Sequence, residues 1–335
     1  MDFSPVIARS PAPFGTGGAR AVLDAAATAL RHDDEAALAL VLDTEGSTYV
    51  QAGALALFGA AGRQVGWLSG GCLEPDIALR AQQAVRAQRI EWLEIDTRSD
   101  EDLFAGSAVG CRGQLRLALL PLRALTAWAT LIASWCDGIG PLRITLQANG
   151  GITARVGDRR VQSTLATAPL SWGGSATQWA VEVPRPPAVL VFGGGPESPI
   201  LLPLLRTLGA MTTLVEQRPR WRAMAAHADR ALELPPTRAL ASPQACDAAL
   251  VMHHHFELDR EALAALAGTT TGFIGLLGPV RRREDLFRVL PAGAREALLP
   301  RLHSPVGLRL GGTGPEAIAL SIAAQLQAHL HGEAA

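Results

Sequence analysis

The pattern that most constrains the fold lies between residues 188 and 216. Ala188–Phe192 is an apolar run typical of a buried strand, and the glycine turn Gly193–Gly195 follows it. Ile200–Leu208 has the spacing of an apolar helix, and Met211–Val215 indicates a second buried strand. A strand, a glycine loop, a helix and a strand in about thirty residues form the βαβ unit that opens a doubly wound parallel sheet. We therefore predict such a sheet in the C-terminal part of the chain.

The residues before this unit follow a different pattern. Helical spacing at 21–31, 74–88 and 122–135 alternates with short strand-like runs, including a hairpin formed by 54–58 and 64–68. The segment Pro184-Arg185-Pro186-Pro187 then favours extended, unpaired backbone. The sequence therefore predicts an α/β protein with an N-terminal α+β domain (1–185) and a C-terminal Rossmann-like, doubly wound parallel sheet domain (186–335).

Composition excludes several classes of function. The 335 residues carry 30 basic and 31 acidic side chains, so no overall charge attracts nucleic acid or an anionic membrane. Every basic residue is arginine, which removes a Schiff-base lysine and a lysine-bearing phosphate loop. Four unevenly spaced cysteines form no disulfide framework, and no signal peptide or spanning segment is evident. We expect a soluble, cytoplasmic protein.

The glycine loop is the first candidate site. Gly193, Gly195 and Ser198 fit a G-x-G-x-x-S pattern, one residue away from the usual dinucleotide fingerprint. Glu216 ends the next strand, where a carboxylate would accept hydrogen bonds from ribose hydroxyls. The alternative is a tight turn without a ligand, and Pro203 should kink the helix that follows.

Two cysteines between glycines are the second candidate. Cys72 follows Gly70 and Gly71 at the start of a predicted helix, whose dipole favours a thiolate. Cys111 precedes Arg112, which could lower the pKa of that thiol. The alternative is that both are small buried residues, the commonest fate of a free cysteine.

Two charged or ligating runs complete the candidates. Adjacent histidines at 253–255 point to different faces of an extended segment, so they do not supply three convergent metal ligands without special backbone geometry. Three arginines at 281–283 could hold an anion, or could form a solvated helix start.

These motifs together resemble one family, the XdhC and CoxI family of xanthine dehydrogenase accessory proteins. In the N-terminal part the resemblance rests on Gly46-Ser47-Thr48-Tyr49, Ser69-Gly70-Gly71-Cys72-Leu73-Glu74 and Gly110-Cys111-Arg112-Gly113. In the C-terminal part it rests on the loop at Gly193, Glu216-Gln217-Arg218, Met252-His253-His254, the segment 272–278 and His303-Ser304-Pro305-Val306-Gly307-Leu308.

The resemblance implies a maturation factor for a molybdenum hydroxylase. Such a protein binds molybdenum cofactor, as molybdopterin or molybdopterin cytosine dinucleotide, protects it during sulfuration by a cysteine desulfurase, and delivers it to the hydroxylase large subunit. The implied cofactor-binding residues are Ser69, Gly70, Gly71, Cys72, Cys111, Arg112, Gly193, Gly195, Ser198, Glu216 and His254. Cys72 and Cys111 are then possible contacts to the molybdenum-sulfur centre, in a shared pocket that faces the glycine loop. We also expect a homo-oligomer.

A second class of function stays open. An NAD-dependent oxidoreductase would use the C-terminal domain for its nucleotide and His254 as acid or base. The cofactor-binding chaperone is favoured over an enzyme with turnover of its own, because both Gly-Cys elements lie outside the dinucleotide-type half.

Overall fold

The computed structural model describes residues 14–15, 18–98, 112–174, 176–241 and 246–332. The chain divides into two compact units, Met1–Arg185 and Pro186–Ala335. Among the described residues, no helix is both long and apolar enough to cross a bilayer.

The first unit combines helices with two sheets. Its helices are α1 (Ala19–His32), α2 (Glu74–Ala87) and α3 (Trp128–Cys136). Its strands are β1 (Phe14–Gly15), β2 (Ala36–Gly46), β3 (Leu55–Gly59), β4 (Gln64–Val65), β5 (Glu91–Asp96), β6 (Gly113–Pro121), β7 (Leu142–Gln147), β8 (Gly151–Val156), β9 (Arg159–Thr164) and β10 (Gln178–Val183). Short 3-10 turns cover Ala60–Gly62 and Leu122–Leu125.

Strand β2 lies in the middle of the six-stranded sheet, whose order is β1-β4-β3-β2-β6-β5. Its pairs with β3 and β6 are antiparallel, and both of its faces are buried. Leu38 and Leu40 pack with the apolar face of α1, whereas Ala37 and Ala39 pack with that of α2. The near-continuous apolar run of this strand therefore reflects a helix on each side of the sheet.

The second sheet is antiparallel, with the order β10-β7-β8-β9. Its inward residues, such as Ile144 and Ala154, join the same core cluster as α1 and α3. Its outward residues are polar, for example Thr145 and Gln147. The alternation of buried and exposed positions along β7 is what a half-buried strand requires.

Two boundaries differ from the sequence prediction. Strand β4 ends at Val65, because Gly66 has a φ of 84° and the Cβ of any other residue there would lie 2.6 Å from Val22. The predicted helix at 122–135 begins instead as a 3-10 turn, and regular α-helix starts only at Trp128.

The second unit is a parallel sheet with helices on both faces. Its strands are β11 (Ala188–Phe192), β12 (Met211–Val215), β13 (Arg230–Leu232), β14 (Ala248–Val251), β15 (Phe273–Leu276) and β16 (Leu302–His303). Its helices are α4 (Ser198–Thr207), α5 (Pro236–Ala241), α6 (Phe256–Ala267), α7 (Val280–Val289), α8 (Ala294–Leu298) and α9 (Pro315–His331), with 3-10 turns at Pro219–His227 and Leu299–Arg301.

The strand order of this sheet is β13-β12-β11-β14-β15-β16, and every pair is parallel. Apolar residues of α4 and α9 cover one face, and those of α6 and α7 cover the other. The predicted doubly wound sheet after an N-terminal α+β part is confirmed. Helix α4 continues through Pro203, so the expected kink does not break it. The strand order reverses between β11 and β14, which is the position at which open α/β sheets form a crevice at the carboxyl ends of their strands.

Candidate functional site

A buried carboxylate organises the loop between β4 and α2. Glu74 is 4% exposed, and its Oε1 accepts the N–H groups of Leu68 at 3.1 Å and Ser69 at 2.8 Å. Its Oε2 accepts the hydroxyl of Ser69 in a short hydrogen bond. One side chain in the first turn of α2 thus fixes the backbone that precedes the helix.

The Ser69 hydroxyl continues this network into the loop. It accepts the N–H of Gly71 at 3.1 Å and that of Leu73 at 3.2 Å. Cys72 lies between these two residues and is exposed, with its Sγ 3.7 Å from the Ser69 oxygen. No atom lies within 4 Å of the position that a Cβ on Gly70 would take. The loop therefore presents a free thiol beside open glycine backbone, and the role of Ser69 in the structure is to hold it there.

The other two cysteines that the structure describes have different surroundings. Cys136 is half-buried, and burial together with the neighbouring Asp24 raises its pKa to about 12. Cys246 is half-buried as well, and burial raises the pKa of its thiol. Cys111 lies outside the described residues. The expectation that Cys72 and Cys111 share a pocket therefore stays a prediction, whereas the alternative of a buried Cys72 is wrong because the residue is exposed.

Arg112 joins two of the motifs found in the sequence. Its carbonyl oxygen accepts the N–H of Ser47 at 3.0 Å, so the end of β2 meets the start of β6. A Cβ on Gly113 would lie 2.6 Å from the Ser47 carbonyl oxygen, so only glycine allows this approach. Residues 46–48 and 112–113 therefore lie together.

The glycine loop after β11 is hydrogen-bonded within the chain. The N–H of Gly194 donates to Glu216 Oε2 at 2.7 Å, and the N–H of Gly195 donates to Ser198 Oγ at 3.0 Å. Gly193 has a φ of 102°, and a Cβ on it would lie 2.4 Å from the Cα of His253. Each residue of the predicted fingerprint thus has a structural partner.

Glu216 is bound by Arg218, which belongs to one of the family motifs but is not among the predicted site residues. Arg218 donates from Nη2 to Glu216 Oε2 at 2.6 Å and from Nε to Oε1 at 2.9 Å. The same guanidinium donates to the carbonyl oxygens of His253 at 2.8 Å and Gly194 at 3.2 Å. Burial raises the pKa of the Glu216 carboxyl, but the hydrogen bonds from Arg218 and Gly194 bring it below its ordinary value. Contact of Glu216 with a ribose stays a prediction, and it would have to share oxygens already in use.

The three consecutive histidines do not converge. His253 is buried, and its Nδ1 lies 3.1 Å from Asp259 Oδ1, while Asp259 also pairs with Arg282. His255 caps the N-terminus of α6. His254 adopts a left-handed φ of 53°, and its side chain is 51% exposed. Across the described part of the chain, no group of three or more histidine, cysteine or carboxylate side chains is placed to hold a metal ion.

The exposed histidine, His254, faces another buried carboxylate, Glu197. The Nε2 atom of His254 lies 3.7 Å from Glu197 Oε1. The imidazole lowers the pKa of the Glu197 carboxyl despite burial, and Glu197 raises the pKa of His254 above its ordinary 6.5. Glu197 lies inside the loop pattern Gly193–Ser198, but that pattern is defined by small residues, so it gave no signal for this side chain.

We expect the Glu197–His254 pair to give a pH-dependent stability. The folded-state pKa of His254 is raised, so its contribution is full below 6.5 and is lost as the pH rises through the raised value. The pKa of Glu197 is lowered, so its contribution is full above 4.5 and is lost only in acid. His254→Asn, which tolerates the left-handed backbone, should therefore be least stable relative to wild type between these two values.

Urea denaturation of both proteins at pH 5.5 and pH 9 measures this difference. Asp259 and Arg282 also act on His254, in opposite directions, and are present in both proteins. Glu197→Gln should abolish the same pH dependence. If wild type exceeds His254→Asn in free energy of unfolding by the same amount at both pH values, the pairing is contradicted.

Two protein-family models match this chain, one in each of its two units. The model of the XdhC and CoxI family matches residues 29–96, and that of the XdhC Rossmann domain matches residues 189–326. A Bacillus subtilis protein, described as a probable component of xanthine dehydrogenase, is 29% identical over 320 residues, which are 89% of this chain and 94% of that protein. A Bacillus halodurans crystal structure described as a xanthine dehydrogenase has a TM-score of 0.73 at 26% identity, and covers 94% of this chain and 98% of its own.

These matches confirm the resemblance found in the motifs. One family model covers the residues that lead into the Cys72 loop as well as the loop itself, and the other covers the glycine loop and the histidines at the crevice. The likeness to the Bacillus proteins extends over both units. The chain therefore belongs to the XdhC and CoxI family.

Proposed function

We propose that this protein binds molybdenum cofactor as its cargo and takes part in the maturation of a molybdenum hydroxylase of the xanthine dehydrogenase type. Membership of an accessory family supports a maturation role, and the relatives named after xanthine dehydrogenase support that client. The observation that carries the proposal is the exposed Cys72 thiol, held by Ser69 and Glu74 beside two glycines.

The Cys72 loop fits such a cargo chemically. A thiolate is a soft ligand that suits a molybdenum-sulfur centre better than carboxylate or hydroxyl oxygens do. The thiol stands two residues before the first residue of a helix of 14 residues. Because Cys72 is exposed and no atom lies within 4 Å of the position of a Cβ on Gly70, the space beside the thiol is open to a bulky cofactor.

In this proposal the chain binds, shields and hands over its cargo. Cys72 holds the metal end, and the network of Glu74 keeps the loop from collapsing onto the thiol when the cargo leaves. A cysteine desulfurase supplies sulfur while the cofactor is held, and the large subunit of the hydroxylase receives it. We further propose that the protein acts as a homo-oligomer in the cytoplasm.

Replacement of Cys72 by serine tests the proposal. The full chain and its Cys72→Ser variant are purified from cells that make the cofactor, and molybdenum and pterin are measured per protein. We expect Cys72→Ser to retain at least about tenfold less of both, since losing a ligand worth ~1.4 kcal/mol has that effect.

Cys136→Ser is the matched control, because that thiol is half-buried and stays protonated. It should retain the wild-type amounts. Equal retention by Cys72→Ser and wild type would show that the thiol does not hold the cargo, and delivery would then have to rest on other residues.

A further inference from the structure

The glycine loop and His254 lie close together at the point where the strand order of the parallel sheet reverses. Strand β11 ends at Phe192 directly before the loop, and β14 ends at Val251 shortly before the histidine. These two strands are neighbours at the reversal of the strand order. In open α/β sheets, ligands bind in the crevice at this point. Glu197 and His254 therefore stand at the expected ligand position of the fold.

The loop lacks the free donors that a pyrophosphate needs. The N–H groups of Gly194 and Gly195 already donate to Glu216 and Ser198. Pro196 has no N–H at all. Phosphate groups bind at such loops through backbone N–H groups at a helix N-terminus. The backbone N–H groups that usually bind a dinucleotide are thus mostly hydrogen-bonded within the chain.

The buried carboxylate of Glu197 disfavours a phosphate and favours a ligand that donates hydrogen bonds. The residue is 4% exposed, and its Oε2 has no hydrogen-bond partner among the described residues. Facing His254, the carboxyl has a lowered pKa and stays ionised at neutral pH. A buried carboxylate oxygen without a donor is costly, and its charge repels a phosphate. The site therefore favours a ligand that brings N–H donors and no negative charge.

We infer that Glu197 and His254 recognise the 2-amino-4-oxopyrimidine edge that pterins and guanine share, in place of a pyrophosphate. This edge presents an amino group and a ring N–H side by side, and a carboxylate accepts both. The imidazole directs Nε2 toward Glu197, and in the protonated, imidazolium form its Nδ1–H is left to donate to the neighbouring ring carbonyl of the ligand. The choice of pterin over guanine rests on the proposed function, whereas the choice of the edge rests on the two side chains.

Binding of phosphate-free probes to the full chain tests the inference. The probe is 6-hydroxymethylpterin, followed by quenching of its fluorescence, and the competitors are guanosine, NAD and inorganic pyrophosphate. We expect the pterin to bind and Glu197→Gln to weaken it by at least about tenfold. NAD and pyrophosphate should not compete.

Glu233→Gln is the control, since Glu233 is exposed and pairs only with Arg222 in the contacts described. It should bind the pterin as wild type does. His254→Asn serves as a second variant if Glu197→Gln is unstable. Competition by guanosine would support recognition of the shared edge, whereas failure of guanosine to compete would contradict it.

Three further results would overturn the inference. They are no binding of either heterocycle, equal pterin binding by Glu197→Gln and wild type, or displacement of the pterin by NAD or pyrophosphate. None of them bears on the retention of molybdenum by Cys72→Ser, so the failure of this inference is distinguishable from the failure of the proposed function.

Discussion

Gly193→Ala is expected to destabilise the Pro186–Ala335 unit by about 3–5 kcal/mol, which is enough to unfold many proteins. Gly193 has a φ of 102°, a backbone conformation that residues with a side chain rarely adopt. The added Cβ would also lie 2.4 Å from the Cα and 2.5 Å from the backbone nitrogen of His253. Backbone atoms cannot rotate away as a side chain end can, so β11 and β14 would have to separate at the crevice.

Gly209→Ala separates the two causes. Gly209 has a φ of 93° in the same unit, but nothing lies within 4 Å of its added Cβ. It should lose only about 1–2 kcal/mol, the cost of the left-handed backbone. The free energy of unfolding of both variants is measured by urea denaturation, with hydrogen exchange of peptides from the Pro186–Ala335 unit as the readout. Equal losses for the two glycines would show that the contact with His253 is unimportant.

Glu74→Ala is expected to cost about 3 kcal/mol in the first unit and to release the Cys72 loop. The change leaves the N–H groups of Leu68 and Ser69 without their acceptor, and each unsatisfied buried donor costs ~1–3 kcal/mol. It also frees the Ser69 hydroxyl, which then has no fixed position from which to hold Gly71 and Leu73.

Asp76→Ala is the matched control for this change. Asp76 lies in the same first turn of α2 and is exposed, so it shares the helix-dipole contribution but not the network. We expect it to lose no more than ~0.5–1 kcal/mol. Hydrogen exchange at residues 68–73 should rise in Glu74→Ala alone. Unchanged protection there would mean that other contacts hold the loop.

The parallel sheet could be predicted from sequence because its signals are local. The predicted strands Ala188–Phe192 and Met211–Val215 have the same bounds in the structure, since each apolar run stops at a residue of another kind, Gly193 or Glu216. Strand β9 (Arg159–Thr164) was missed. It is an edge strand whose residues are mostly polar and exposed, so hydrophobic periodicity gives it no signal.

The motifs of the candidate site could be recognised in the sequence, but the contacts between their residues could not. The motif around Cys72 was found, yet nothing in the spacing of Ser69 and Glu74 says that they bind each other. Glu216 was chosen for a ribose contact, but the long side chain of Arg218 folds back onto it from two residues away. Such pairs depend on rotamers and on the burial of both groups, which no one-dimensional pattern encodes.

The run His253–His255 shows how three identical side chains acquire three environments from backbone direction alone. The first is buried against Asp259, the second turns outward at a left-handed residue, and the third caps α6. Deleting or inserting a single residue here would leave the composition of the segment almost unchanged, yet would exchange these positions. In an engineered variant or a distant relative, the histidine at the crevice is therefore identified by its distance from the end of β14, and a count of histidines is no guide to it.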